Sequence, residues 1–215
     1  VFEEGMKAIP AYIMASESYT SYVSKIVIPD TVEMIGSLAF LHNENLVLEK
    51  ISANIRTIGY RAFEDCAGIK SMELSKTLTE IEYQAFEGCT GLETVTMEYN
   101  DTVEYAAKIG DSAFARCTGL KTVGLSENVT SMGDQVFSGC TALKALKLPE
   151  SLKSMGYRVI ENTAISSITI PKNVTSCDPD SLLGYNGALA NCKTLNTVVF
   201  EEGMKAIPAY IMASE

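Results

Sequence analysis

Six cysteines and a single histidine are the residues of this 215-residue chain most able to do chemistry. Thiolates spaced as Cys-x-x-Cys hold zinc, and a Cys–His or Ser–His–Asp arrangement supplies a nucleophile with its base. Neither pattern is present. Cys66, Cys89, Cys117, Cys140 and Cys192 each stand alone in the same slot of a recurring phrase. Identical slots in stacked repeats could bring thiols toward disulfide distance. The favoured reading is a buried column of free thiols behaving as small apolar side chains. His42 is expected as an exposed loop residue, because nothing around it suggests a nucleophile held in a strained turn. Asp178, Asp180 and Asn186 offer the oxygen ligands that Ca²⁺ takes, but the EF-hand spacing is absent and Asp-Pro-Asp is ordinary turn chemistry. Asn100, Asn128 and Asn173 begin glycosylation acceptor triplets, which matter only in a eukaryotic secretory pathway. No catalytic residue, cofactor-binding residue or metal ligand is assigned, and the chain is not expected to be an enzyme.

The elements that carry these residues repeat. Ile58-Gly-Tyr-Arg-Ala-Phe-Glu-Asp-Cys-Ala-Gly-Ile69 returns as Ile81–Leu92, Ile109–Leu120 and Met132–Leu143. Self-similarity at a fixed period of this length marks a solenoid. Anchored on the Phe slot, the rungs centre on Met14, Phe40, Phe63, Phe86, Phe114, Phe137, Ile160, Leu189 and Met212, with a base spacing of 23 residues. Upstream of each anchor lies a Leu-x-x-Val-x-Leu run, clearest at Leu120/Val123/Leu125 and Leu143/Leu146/Leu148. Apolar residues two apart, rich in β-branched types, predict a strand. Pro29, Pro149 and Pro171 directly follow three of these runs and mark where they stop, because proline has no N–H for a ladder. A Val-x-x-Ile pair, as at Val32/Ile35 or Ile55/Ile58, predicts a brief extended piece on the opposite side before a helical turn carrying Ala-Phe-x-x-Cys.

This template, L-x-x-I-x-I-P-x-x-V-x-x-I-G-x-x-A-F-x-x-C-x-x, resembles the BspA-like leucine-rich repeat family over nearly the whole chain. The resemblance implies one leucine-rich-repeat solenoid, a right-handed β/α superhelix over residues 1–215 with about eight distinct rungs. Its parallel β-sheet would line the concave face, with short extended pieces and helical turns on the convex side. Departures are local: Glu49 falls in a core strand slot, Pro10 and Pro208 replace the turn Gly, and Cys177 takes the Ile slot. Irregular pairing is expected near Glu49. Family members are typically surface-exposed in bacteria of mucosal or gut communities, with some in protozoa, and several act in attachment to host proteins or other cells. The resemblance therefore implies a cell-surface or secreted location and an adhesive, protein-binding role.

Charge and surface pattern agree with that expectation. The net charge of −10, with Lys and Arg scattered singly, sets aside nucleic acid, which requires a basic stripe. No apolar run is long enough to insert in a bilayer. Strand alternation places Lys25, Leu48, Lys50, Glu73, Thr94, Thr96, Thr122, Lys147, Thr169 and Thr197 on the concave surface. That surface is small and hydroxyl-rich, without the aromatic and Arg anchors of tight interfaces. It suits either a solvated sheet face or a low-affinity platform for a protein or glycan ligand, host extracellular matrix included. Extra residues near Ser18–Tyr22, near Tyr99–Lys108 and between Asp178 and Gly187 are loop insertions, read either as a binding edge or as tolerated loop growth. Residues 1–17 recur letter for letter as 199–215. The simplest reading is a parent with tandem 198-residue units, the other being an artefact of the sequence. On the first reading a structural spacer is the alternative function, and uncapped rungs predict end-to-end self-association.

Overall fold

The computed structural model describes residues 3–15, 23–48, 51–98, 105–177 and 186–212. Glu49, Lys50, Asp178, Asp180, Asn100 and residues 18–22, 99–104 and 178–185 of the three insertions lie outside the described residues.

Each rung contributes two extended pieces. The Val-x-x-Ile segments give β1 (Ala8–Ile9), β3 (Met34–Ile35), β5 (Thr57–Ile58), β7 (Glu80–Ile81), β9 (Ala107–Ile109), β11 (Val129–Met132), β12 (Ser154–Met155) and β14 (Ser176–Cys177). They pair in parallel into one eight-stranded sheet in rung order. Every strand sends its last side chain inward, so Ile9, Ile35, Ile58, Ile81, Ile109, Met132, Met155 and Cys177 form a buried column. Cys177 fills the Ile slot as an apolar side chain and pairs across from Met155.

The Leu-x-x-Val-x-Leu runs give β2 (Lys25–Ile26), β4 (Val47–Leu48), β6 (Ser71–Leu74), β8 (Thr94–Met97), β10 (Thr122–Gly124), β13 (Ser167–Ile170) and β15 (Thr197–Phe200). The expected single sheet is instead three: β2–β4, β6–β8–β10 and β13–β15. The brief pieces thus form the continuous sheet, and the runs with the stronger strand signal do not. One break follows from a register shift. Lys25 pairs with Val47 and Ile26 with Leu48, which turns Leu48 toward the core and leaves Val47 exposed. Leu48, expected on the outer surface, is therefore an inward residue, because a one-residue slip exchanges the two faces of a strand. The second break lies where β10 ends at Gly124 and the next run, although its Leu146 and Leu148 are buried, ends at Pro149. Gly weakens a strand and Pro cannot donate, so no ladder forms there.

The Ala-Phe-x-x-Cys segments are not helical; no helix occurs among the described residues. They alternate instead. In the rung of Phe40, the N–H groups of Leu38, Phe40 and His42 donate to Tyr60, Ala62 and Glu64 of the next rung at 2.7–2.9 Å. The intervening Ala39, Leu41 and Asn43 donate back to residues three before them. Leu38 and His42 have φ of 58°, and the same two slots are left-handed at Arg61/Asp65, Gln84/Gly88, Ser112/Arg116, Gln135/Gly139 and Arg158/Asn162. A helix would direct every N–H along its own chain. Here the left-handed residues turn alternate N–H groups toward the neighbouring rung.

That ladder sets what stacks beside it. Phe40, Phe63, Phe86, Phe114 and Phe137 form a continuous ring stack with centroids 5.1–5.6 Å apart. Three residues on, the Cys66, Cys89, Cys117 and Cys140 thiols donate to the carbonyls of Phe40, Phe63, Phe86 and Phe114 in the preceding rung at 3.0–3.2 Å. Asn43 stands in the Cys slot of its own rung, and its Nδ2 reaches Met14 O of the preceding rung at 2.7 Å. The cysteines are free thiols, as expected, but each is also a cross-rung donor.

Two outcomes follow from this column. Phe86→Ala removes a fully buried ring from the centre of the stack and should cost about 3–5 kcal/mol in urea unfolding, with loss of a single cooperative transition. Burial pushes Cys66 and Cys140 from the ordinary value of 9.0 to about 12, and raises Cys89 and Cys117 well above that ordinary value. The unfolded chain then releases these protons near pH 9 while the native state keeps them to about 12. The native state binds more protons in that window, so stability should be flat below pH 9 and fall above it, by ~1.4 kcal/mol per pH unit per thiol. Urea midpoints measured from pH 8 to 10.5 check the slope, and prompt alkylation of native thiols at pH 8.5 would contradict it.

Candidate binding face

The outward residues of the longer strands come together in three separate groups, one for each sheet. On β6–β8–β10, Ser71, Thr94 and Thr122 form one row and Glu73, Thr96 and Gly124 the next. Inward residues alternate with them: Met72, Val95 and Leu74 are buried, so the rows are held on a packed base. Cross-strand hydroxyls a strand spacing apart make an even polar strip with short side chains and little conformational entropy to lose on contact. Glu73 is the one charge in it.

The other predicted contacts are spread out. Lys25 sits on β2 beside exposed Val47. Thr169 and Thr197 lie on β13 and β15, with Thr169 opposite Val199 and Thr197 opposite Ser167. Lys147 projects from the run that carries no ladder. All of these outer residues are exposed except Thr94 and Thr96, which are partly covered. The structure therefore unites Glu73, Thr94, Thr96 and Thr122 on one sheet, places Thr169 and Thr197 together on another, and leaves Lys25 apart.

A concavity opens at each of the two breaks. At the first, a cavity of about 180 Å³ is lined by Leu48, Ile51, Ser52, Ser71, Glu73 and Glu98, among others. At the second, a groove of about 580 Å³ runs past Leu146, Lys147, Glu150, Thr169, Thr197 and Val199. Lys147, Thr169 and Thr197 thus share one groove although a sheet and a bare run supply them. Its walls carry a cation, a carboxylate, hydroxyls and exposed Val199, a composition that fits an extended polymer with mixed polar and apolar groups.

Sequence reasoning missed a polar seam in the turn column. Glu64 and Glu87, in successive rungs, are buried, and desolvation raises both carboxyls above the usual range. Arg61 Nε lies 3.1 Å from Glu64 Oε2, and Arg116 Nη2 lies 3.1 Å from Glu87 Oε1. His42, expected as an exposed loop residue, is half-buried in this seam with Nε2 3.6 Å from Asp65 Oδ2. His42, Glu64 and Asp65 are the one group among the described residues with three metal-ligating side chains mutually within reach. Writing the rungs beneath one another would have revealed it, because His42 and Asp65 occupy the same slot 23 residues apart. Asn186, the described member of the Asp178/Asp180 group, is buried. Asn128 is also buried, with Nδ2 donating to Leu78 O, and Asn173 Nδ2 donates to Glu150 O across a rung. Both acceptor asparagines thus act in turns.

Comparison with known proteins follows the same rung pattern. A leucine-rich repeat protein from Bacteroides ovatus is 24% identical with a TM-score of 0.54, the match covering 86% of this chain and 63% of that one. The leucine-rich repeat protein of T. pallidum is 22% identical with a TM-score of 0.57, covering 76% of this chain and 70% of the other. The chain thus spans less than two thirds of the length of the Bacteroides protein. At these identities the likeness concerns the fold. No curated protein matches the sequence. No helix among the described residues is long and apolar enough to cross a membrane. The family model for the BspA type leucine rich repeat region, in six copies, matches residues 12–107 and 107–214. This chain belongs to the BspA-type leucine-rich repeat family.

Proposed function

We propose that the chain is a noncatalytic binding module of a cell-surface or secreted bacterial protein, attaching through its longer-strand face to host or neighbouring-cell macromolecules. Proteins of this repeat family are generally non-catalytic and typically bind other proteins. The observation that carries the reading is the row structure of β6–β8–β10, where Ser71, Thr94 and Thr122 stand beside Glu73 and Thr96 on a rigid apolar base. A strip of this kind makes many weak contacts, and repetition along a solenoid adds them without any single deep pocket. The groove past Lys147, Thr169 and Thr197 extends the same surface.

A second reading, a spacer built of tandem 198-residue units, is favoured by one observation. The copy at 199–215 continues the rung register rather than ending it. Thr169 pairs with Val199 and Ile170 with Phe200, and Leu189 N–H donates to Ile211 O as an internal rung would. Ile207, the counterpart of Ile9, is 60% exposed whereas Ile9 is buried in β1, so a further rung stacked on that edge would cover it, which supports end-to-end association of copies.

Surface plasmon resonance against immobilised extracellular-matrix proteins should show weak, salt-sensitive binding. Replacing Thr94 and Thr96 together by Lys should abolish it while changing the unfolding free energy by no more than about 0.5 kcal/mol per site, the range for outward positions. Unaltered binding by that double variant refutes the contact surface, and absence of binding to any matrix protein or glycan favours the spacer. Light scattering across a concentration series should show association into longer particles. A strict monomer at high concentration contradicts end-to-end stacking.

A further inference from the structure

We propose that His42, Glu64 and Asp65 form a binding site for a divalent transition-metal ion of the zinc, cobalt and nickel class. The three side chains offer one imidazole nitrogen and two carboxylates, with ligand atoms all within 4.8 Å of one another. A tetrahedral shell with bonds of ~2.0–2.1 Å sets its ligand atoms ~3.3 Å apart, so small side-chain rotations close the set around an ion. A mixed nitrogen and oxygen set suits these ions, whereas Ca²⁺ and Mg²⁺ take oxygen alone.

The backbone holds the ligands in place before any ion arrives. His42 and Asp65 occupy the same left-handed slot of successive rungs, with φ of 58° and 57°. Their N–H groups are fixed by Glu64 O at 2.9 Å and Glu87 O at 2.8 Å. In the next rung that slot is Gly88, and a methyl group there would overlap Asp65 Oδ1. The missing side chain leaves the room that the Asp65 carboxylate takes.

Glu64 supplies the independent sign of a ligand. The residue is 6% exposed, and its Oε2 is buried without a hydrogen bond. The nearby Arg61 Nε carries one proton, and that proton goes to Gln84 Oε1 at 2.7 Å. Arg61 Nε therefore faces Oε2 as a charge 3.1 Å away without giving that oxygen its proton. A buried carboxylate oxygen left without a donor is costly, and a metal ion completes its coordination. The His42 and Asp65 side chains are 23% and 27% exposed, so an ion can enter from that side and keep water in its open positions. The charges of Arg61 and Arg116 oppose a dication, which makes the site one of modest affinity whose strength Arg61 controls.

The test uses the 215-residue protein stripped with a chelator. Zn²⁺ should raise the melting temperature and shift the resonances of the sole imidazole, whereas Mg²⁺ and Ca²⁺ should do neither. Asn tolerates left-handed backbone, so His42→Asn and Asp65→Asn keep the fold while removing a ligand and a charge. Each should weaken Zn²⁺ binding at least ~10-fold, with metal-free melting temperature unchanged. Arg61→Gln should tighten binding, an effect that a purely structural cluster would not give. The proposal fails if Zn²⁺ leaves the His42 resonances unmoved, if both variants bind as the parent does, or if Co²⁺ gives the intense near-ultraviolet band of thiolate ligands.

Discussion

The alternation of hydrogen bonds in the turn column is the constraint on which this solenoid rests. Three N–H groups per rung point to the next rung and the three between them close turns on their own. That division requires left-handed backbone at two fixed slots, and all twelve such slots from Leu38 to Asn162 carry it, with Leu, Arg, Gln and Ser among them as well as Gly and Asn. Non-Gly residues in that region are strained. The strain is held because cross-rung hydrogen bonds and a buried Phe or Ile depend on each turn. Fixing the rung spacing at the turns brings the Phe rings to stacking distance and the Val-x-x-Ile pieces into one sheet.

The longer strands are free to differ because they are not the spacing element. Where Leu48 shifts by one residue, and where Gly124 and Pro149 interrupt the ladder, the rungs still stack through the turns and the eight-stranded sheet. Interruptions of this kind would break a fold supported by that face alone. Here they open a cavity and a groove instead. The same tolerance explains why the outer residues of these strands vary in type from Lys and Glu to Thr and Val with no change in the core beneath.

Much of this was legible in the sequence, and the misses have physical causes. Period, the Phe anchors, free thiols and the inward residues of β6, β8 and β13 follow from spacing and alternation. The turns read as helical because Ala-Phe-x-x-Cys has the composition and length of a helical turn, and neither feature reports the sign of φ. With Glu49 in the core slot, alternation places Leu48 outward, and no local signal marks the slip. Glu73, Thr94, Thr96 and Thr122 lie together as alternation implies, whereas Lys147, Thr169 and Thr197 share a groove only because ladders fail beside them. The seam of His42, Glu64 and Asp65 was hidden by sequence distance, since residues 22 or 23 apart look unrelated until rungs are superposed.

Stacking also explains why charged groups in the seam are unlike those on the strand face. In a column of period 23, a side chain meets the same slot of the rungs on either side at about the strand spacing of ~4.8 Å. Outward on a strand, that neighbour is across a solvated surface, where charges are screened and worth little. In the turn slots the neighbour is across a buried gap, so desolvation raises the Glu64 and Glu87 carboxyls, and Glu64 pairs with Arg61 of its own rung while Glu87 pairs with Arg116 of the next. Charge that could be exposed at no cost has been placed where it needs a partner. A solenoid that required only a core could have kept apolar residues there, as the rung of Phe114 does with Ala115 in the slot of Glu64 and Glu87. An Arg–Glu pair recurs in these slots at Arg158 and Glu161, but only where His42 stacks beside Glu64 and Asp65 does the seam bring an imidazole to two carboxylates, and this difference separates a site from a repeat.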